Sequence, residues 1–230
     1  MASVEWNRRR LLAGMAATGV ASVAGLTALT SDAVAYTNAT TVGTAPSVRV
    51  EWRETYNGDV LETGSETADG PVLHVDGAQP GDYGTLAFRV SPKSDQESAR
   101  AVFALSLDAN RENGLTEPER KAGDSAKSAE LADAVQLTAW FDTGTFDVSQ
   151  LGGCNANRDG GETVLVDGSL VDADAELADG VVLGGDCLSA GESACVGISW
   201  ALPSETGNPA QSDSVETSLS FTVESCGGGA

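Results

Sequence analysis

Residues 195–226 read CVGISWALPSETGNPAQSDSVETSLSFTVESC, and this stretch decides the fold. In its first half Val196, Ile198, Trp200 and Leu202 fall on every second position. In its second half Val215, Thr217, Leu219, Phe221 and Val223 do the same, alternating with Glu216, Ser218, Ser220 and Thr222. A period of two, carried by β-branched and aromatic residues, predicts half-buried strands. The connection is rich in Pro, Gly, Ser and Asn, so it breaks regular structure. Antiparallel pairing of the two runs across that connection is expected, and it would bring Cys195 near Cys226.

Working back from this stretch, the same period recurs. Val48, Val50 and Trp52 alternate with Arg49, Glu51 and Arg53, and Asn57-Gly58 then predicts a turn. Val60 and Leu61 start a short run, and residues 72–75 form another. Gln79-Pro80-Gly81-Asp82 is a tight turn into a strand over residues 84–90. Residues 99–107 are apolar on both faces and predict a central strand. Residues 108–127 read as a long polar excursion and residues 128–133 as a short helix capped by Ser128. Residues 134–142 predict a strand buried on both sides, with Trp140 opposite Val135, Leu137, Ala139 and Phe141. Residues 143–186 read as loop, with short strands at 164–166 and 181–183. The expectation is an all-β, jelly-roll-type β-sandwich with long polar loops and at most short helices, spanning residues 48–226.

The first 35 residues are set apart as an export signal. Asn7-Arg8-Arg9-Arg10-Leu11-Leu12 is a paired-arginine start, residues 11–29 are uncharged, and Ala33-Val34-Ala35 offers a small-residue cleavage site. That order predicts the twin-arginine route to the cell surface or beyond, with no membrane association after cleavage. A retained anchor is the alternative, because the uncharged run is long enough to span a bilayer. Residues 36–47 form a Thr-rich, uncharged arm. Tyr36, Thr37, Asn38, Ala39, Thr40, Thr41 and Val42 could add as a strand to a neighbour or fray. Asn38-Ala39-Thr40 is also an N-glycosylation sequon. Residues 227–230 are expected to be a flexible tail.

Charge narrows the function classes. Without the signal, 10 basic and 32 acidic residues remain, a formal charge of −22, and Lys93, Lys121 and Lys127 are the only lysines. Such a polyanion repels nucleic-acid phosphate and anionic lipid, so neither is an expected partner. The acidic residues are interleaved with apolar runs, which suits a folded domain in high salt, where charges are screened beyond about 3 Å at 1 M. This pattern points to a halophilic, archaeal source.

Cys154, Cys187, Cys195 and Cys226 all follow the signal and are even in number, so disulfides are expected. Cys195–Cys226 with Cys154–Cys187 is one pairing. Cys187–Cys226 with Cys154–Cys195 is its rival. Zinc is disfavoured, since there is no CxxC pair and His74 is the only histidine.

Three segments carry a family resemblance. Leu73 through Val90, with the Pro80-Gly81-Asp82 turn, is the first. Glu117-Pro118-Glu119, Glu130-Leu131-Ala132-Asp133 and Thr138-Ala139-Trp140-Phe141-Asp142 form the second. Trp200-Ala201-Leu202-Pro203, Gly207-Asn208-Pro209-Ala210-Gln211-Ser212-Asp213-Ser214 and the closing strand to Cys226 form the third. Together they resemble the TasA/camelysin family of secreted β-sandwich proteins, in a haloarchaeal form. Residues 143–190 depart from its pattern. The resemblance implies a subunit that polymerises with itself, and with related filament subunits, into biofilm matrix fibres or bundling pili. Each subunit would donate its N-terminal arm as a strand to the next. The competing reading is a monomeric surface or secreted binding protein.

The family also includes metallopeptidases, but this chain has no HExxH, no GxSxG and too few histidines for a zinc triad. No catalytic residue and no cofactor are expected. Calcium is the one ligand the sequence suggests: Asp108, Asn110 and Glu112 offer oxygens at alternate positions, as do Asp172, Asp174 and Glu176. Neither run fits an EF-hand loop.

Overall fold

The computed structural model describes residues 36, 38–61, 78–94, 98–144 and 153–226. The expected signal, Thr37, the strand at 72–75 with His74, and the tail lie outside these residues.

Among the described residues, ten strands and three short helices follow in order. They are β1 (Asn38–Val42), β2 (Val48–Tyr56), β3 (Asp59–Val60), β4 (Tyr83–Pro92), β5 (Ala99–Arg111), α1 (Glu117–Ala122), α2 (Leu131–Ala134), β6 (Gln136–Phe141), β7 (Val164–Ser169), α3 (Leu170–Leu177), β8 (Val181–Val182), β9 (Ala194–Ala201) and β10 (Ser214–Ser225), with a 3₁₀ turn at Asn208–Ala210. One antiparallel sheet has the order β1-β2-β4-β9-β6-β7, with β3 paired to β2. The second has the order β10-β5-β8. The protein is therefore the all-β sandwich expected. Among the described residues no helix is long and apolar enough to cross a membrane.

The sheets meet through aromatic and aliphatic side chains. Phe88 of β4, Phe103 of β5 and Phe221 of β10 form a cluster with ring centroids 5.3–5.7 Å apart. Leu86, Leu105, Leu137, Ile198 and Leu219 continue this layer, each 1–2 % exposed or fully buried. In the first sheet two glycines lie opposite tryptophans on neighbouring strands: Gly84 pairs with Trp200, and Gly197 with Trp140. A missing side chain beside a large one lets the indole lie across the strand.

Two expectations are corrected. The runs at 195–202 and 215–223 are both strands, but they do not pair with each other. β9 lies between β4 and β6, whereas β10 pairs with β5 in the other sheet. The cause is visible in β9 itself. Residues 194–198 are buried without alternation, and a strand covered on both faces belongs inside a sheet. The disulfides follow: Cys154–Cys195 and Cys187–Cys226, with Cα separations of 5.4 and 6.0 Å. Two disulfides fit an oxidising, extracellular setting.

The second correction concerns Asp172, Asp174 and Glu176, which lie on α3 rather than in a loop. Ser169 caps that helix by accepting from the Asp172 amide, and Asp172 accepts from the Ser169 amide in return. The Asp174 Oδ1 accepts from the Leu107 amide of β5. On a helix, successive alternate residues diverge by about 200°, so these carboxylates do not converge. α1, also unexpected, is started by the same device at Thr116 and Glu119 and closed by Gly123 in the left-handed region at φ 89°.

Candidate functional site

The arm and the acidic residues near the end of β5 are the two features with functional potential. β1 pairs with β2 of its own chain, from Asn38 opposite Trp52 to Val42 opposite Val48. Among the described residues it is the outermost strand of its sheet. Val42 is buried, Asn38 and Thr40 are half-buried, and Ala39 and Thr41 are exposed. Before the strand, Tyr36 lies under the Arg89 guanidinium, 4.6 Å from its ring centroid. Burial pushes the Tyr36 phenol up to about 12, with Arg89 opposing. The sequon asparagine, Asn38, is thus part of a paired strand.

The acidic site forms where the end of β5, the α1–α2 segment and the approach to β10 meet. Its origin is a β-bulge. Leu107 pairs with Thr217, but Ala109 pairs with Glu216, so Asp108 is the extra residue. The bulge changes which residues face inward. Asn110 comes opposite the buried Val215, while Asp108 stays on the outer side and accepts a hydrogen bond from the Ser218 hydroxyl. Of the three residues suggested for calcium, Glu112 therefore joins the acidic cluster, Asn110 bonds to the Ala129 carbonyl, and Asp108 belongs to neither.

The other members come from far along the chain. Asp213, just before β10, accepts at Oδ2 from the amides of Glu130 (2.6 Å) and Leu131 (3.1 Å), which fixes the start of α2. Asn110 Nδ2 donates to the Ala129 carbonyl at 2.7 Å. Glu112 Oε1 accepts from the Gly114 amide at 2.7 Å. Glu112, Glu130 and Asp213 each place one carboxylate oxygen within 4.8 Å of the other two, and Glu112, Glu119 and Asp124 form a second such set. Five oxygens here are buried and have no hydrogen-bond partner: Asn110 Oδ1, Glu112 Oε2, Asp124 Oδ2, Glu130 Oε2 and Asp213 Oδ1. Burial pushes the Asp213 carboxyl up to about 6, and the neighbouring Glu112 adds to the rise.

Glu119 behaves differently. Although it is fully buried, it accepts at Oε1 from the Ser212 amide (2.8 Å) and hydroxyl (2.6 Å), and at Oε2 from the Thr116 amide. The Ser212 hydroxyl and these amides hold its carboxyl down at about 2. A carboxyl held below its ordinary 4.5 contributes stability above that value and loses it as pH falls toward about 2. Glu119→Gln is expected to flatten the fall in melting temperature between those two pH values, and to lower the melting temperature at neutral pH. Thermal melts of both proteins across that range check this.

Other buried carboxylates organise the segment held by the first disulfide. Asp142 Oδ2 accepts from the Ala156 amide at 2.7 Å, and Glu162 takes the amides of Gly144 and Asp159 at 2.6 and 2.7 Å. Burial raises the Asp142 carboxyl, with Glu162 adding to the rise.

No family model and no curated protein matches this chain.

Proposed function

We propose that the protein is an exported structural subunit that polymerises into extracellular fibres or bundling pili by exchanging its N-terminal strand between copies, for biofilm and cell–cell adhesion. The observation that carries the reading is β1: an uncharged, N-terminal strand that stands at the edge of its sheet among the described residues, paired with β2. Because β1 docks on β2 of its own chain, the β1 of another copy can make the same five residue pairs. Exchange then requires only that the 43–47 connection open outward, and a head-to-tail exchange that does not close grows as a filament. An uncharged strand also enters a partner's sheet without stripping water from a charge. Secretion, the fibre's role and a salt-adapted acidic coat belong to the same reading.

The pairing within one chain favours a second reading, a closed monomeric surface protein. Electron microscopy of the purified chain in molar salt separates the two. Fibres are expected from the intact protein and none from a chain lacking residues 36–45, with added peptide 36–45 blocking growth of the intact protein. Fibres from the shortened chain overturn strand exchange. An intact chain that stays monomeric at every concentration and salt overturns the subunit reading in favour of the monomer.

A further inference from the structure

The pairing of β1 with β2 is not the only hold on the arm. We infer that Arg89 and Cys195 form a docking seat for the Tyr36 side chain, and that this seat makes the arm specific for a copy of its own chain. The inference rests on strand exchange and names the contact by which one subunit recognises the next.

The first observation is where the seat lies. Trp52, Phe88 and Val196 are cross-strand partners on β2, β4 and β9, and all three are buried in the core. Glu51, Arg89 and Cys195 form the adjacent row of partners, so they point to the other face of the first sheet. Cys195 is buried, yet it stands outside the cluster that fills the space between the sheets. Cover on the outer face comes from Cys154, bonded to it, and from Tyr36, whose hydroxyl donates to Cys195 Sγ at 3.8 Å. The Arg89 guanidinium stands over the ring, 4.6 Å from its centroid. The phenol is therefore held twice, its ring by a cation and its hydroxyl by a sulfur. The bond to Cys154 fixes that sulfur, so the seat is complete in the oxidised chain.

The second observation is what the rest of the arm lacks. Residues 36–47 contain one aromatic residue, Tyr36, and no charge. On β1, Ala39 and Thr41 are exposed and Val42 is buried. Backbone pairing gives an added strand its affinity but accepts almost any sequence, whereas side-chain pockets give it specificity. Small exposed side chains supply little of that. Tyr36 supplies it, because its ring and hydroxyl need a cation and a buried sulfur at one place. In exchange the phenol leaves one Arg89–Cys195 seat and enters an identical one. Its contribution thus cancels between closed chain and fibre, and it remains in the choice of acceptor and in the barrier to opening.

The test uses the intact protein and synthetic peptides of residues 36–45, with fibre growth in molar sodium chloride as the readout. The unaltered peptide is expected to block growth. A Tyr36→Ala peptide is expected to need at least about tenfold more, and a Tyr36→Phe peptide less than about threefold more, because the ring under the cation is kept. A Thr44→Ala peptide, changed at an exposed position after β1, is expected to match the unaltered one. Against growth of the Arg89→Gln protein, the unaltered and Tyr36→Ala peptides should be equally potent, since the seat has lost its cation. Amide hydrogen exchange in the unassembled protein reads the seat without fibres. There Tyr36→Ala is expected to speed exchange of the amides that join β1 to β2 about tenfold, and Tyr36→Phe less than about threefold. Equal potency of the unaltered and Tyr36→Ala peptides against the wild type overturns the seat and leaves strand exchange standing. Unchanged amide exchange in Tyr36→Ala does the same. Failure of every peptide to block growth overturns strand exchange itself, and the seat's role in recognition with it.

Discussion

Reducing both disulfides is expected to lower the melting temperature by about 10–20 °C, leaving the domain close to the limit of its stability. The bridges span sequence separations of 41 and 39 residues, and loops of that size are worth about 4 kcal/mol each in the chain-entropy account. The two loops overlap between Cys187 and Cys195, so the second closure is partly made by the first, and about 5–8 kcal/mol together is the reasonable sum. A domain of this size has about 5–15 kcal/mol in all. The positions of the bridges add to the effect. Cys226 follows the last residue of β10, and Cys187 precedes Leu188, whose backbone bonds to Ala99 at the start of β5. That bond therefore pins the second sheet to the segment leading into β9. Cys154–Cys195 pins the loop after β6 to β9, in the first sheet. Cys195 is 3 % exposed, so full reduction calls for mild denaturant, with free thiols counted before each melt. A fully reduced protein that melted within 2 °C of the oxidised one, against the ~10–20 °C expected, would contradict this account.

The same bridges show what the sequence could and could not say. Periodicity located β2, β4, β5, β6, β9 and β10, because alternation is a local property of each strand. It could not name β9's neighbours. Chain proximity favoured a hairpin with β10, while the unbroken burial of residues 194–198 called for two partners within a sheet. The apolar run Ala194–Val196 with Ile198 was the signal for that, and it outweighs proximity. α1 and α3 were legible in their capping boxes, Thr116 with Glu119 and Ser169 with Asp172, which stood inside stretches read as polar loop. The acidic site was legible only in part. Alternation put Asp108, Asn110 and Glu112 together, and one extra residue at the bulge removed Asp108 from the set. Glu130 and Asp213 lie 18 and 101 residues beyond Glu112; the pairing of β10 with β5 brings Asp213 near it, and the Asp213 carboxylate holds the Glu130 amide. No local pattern carries that information.

Gly197→Val is expected to cost more than about 3 kcal/mol and to leave little folded protein, with Gly197→Ala losing about 2–3 kcal/mol. A Cβ at Gly197 would lie 2.2 Å from Trp140 Cζ2, 2.4 Å from Cε2 and 2.8 Å from Cη2. These are atoms of one rigid ring, so no single torsion relieves all three. Trp140 is 2 % exposed, and its ring is covered by the surrounding fold. Retreat of the indole would have to displace its neighbours in the packed interior. The strain falls on the central strand of the first sheet, where β9 is bonded to β4 on one side and β6 on the other. Gly160→Ala is the control, since nothing lies within 4 Å of a Cβ there, and it should shift stability by less than about 0.5 kcal/mol. Adding Trp140→Leu to Gly197→Ala should restore part of the loss if the indole is the obstacle, because the two residues are direct cross-strand partners and their effects should couple. Urea denaturation of the wild type, these four variants and Trp140→Leu alone measures this. A Gly197→Ala protein as stable as Gly160→Ala would mean that the indole does not lie across the strand, and the packing of the first sheet would have to be redrawn around another contact.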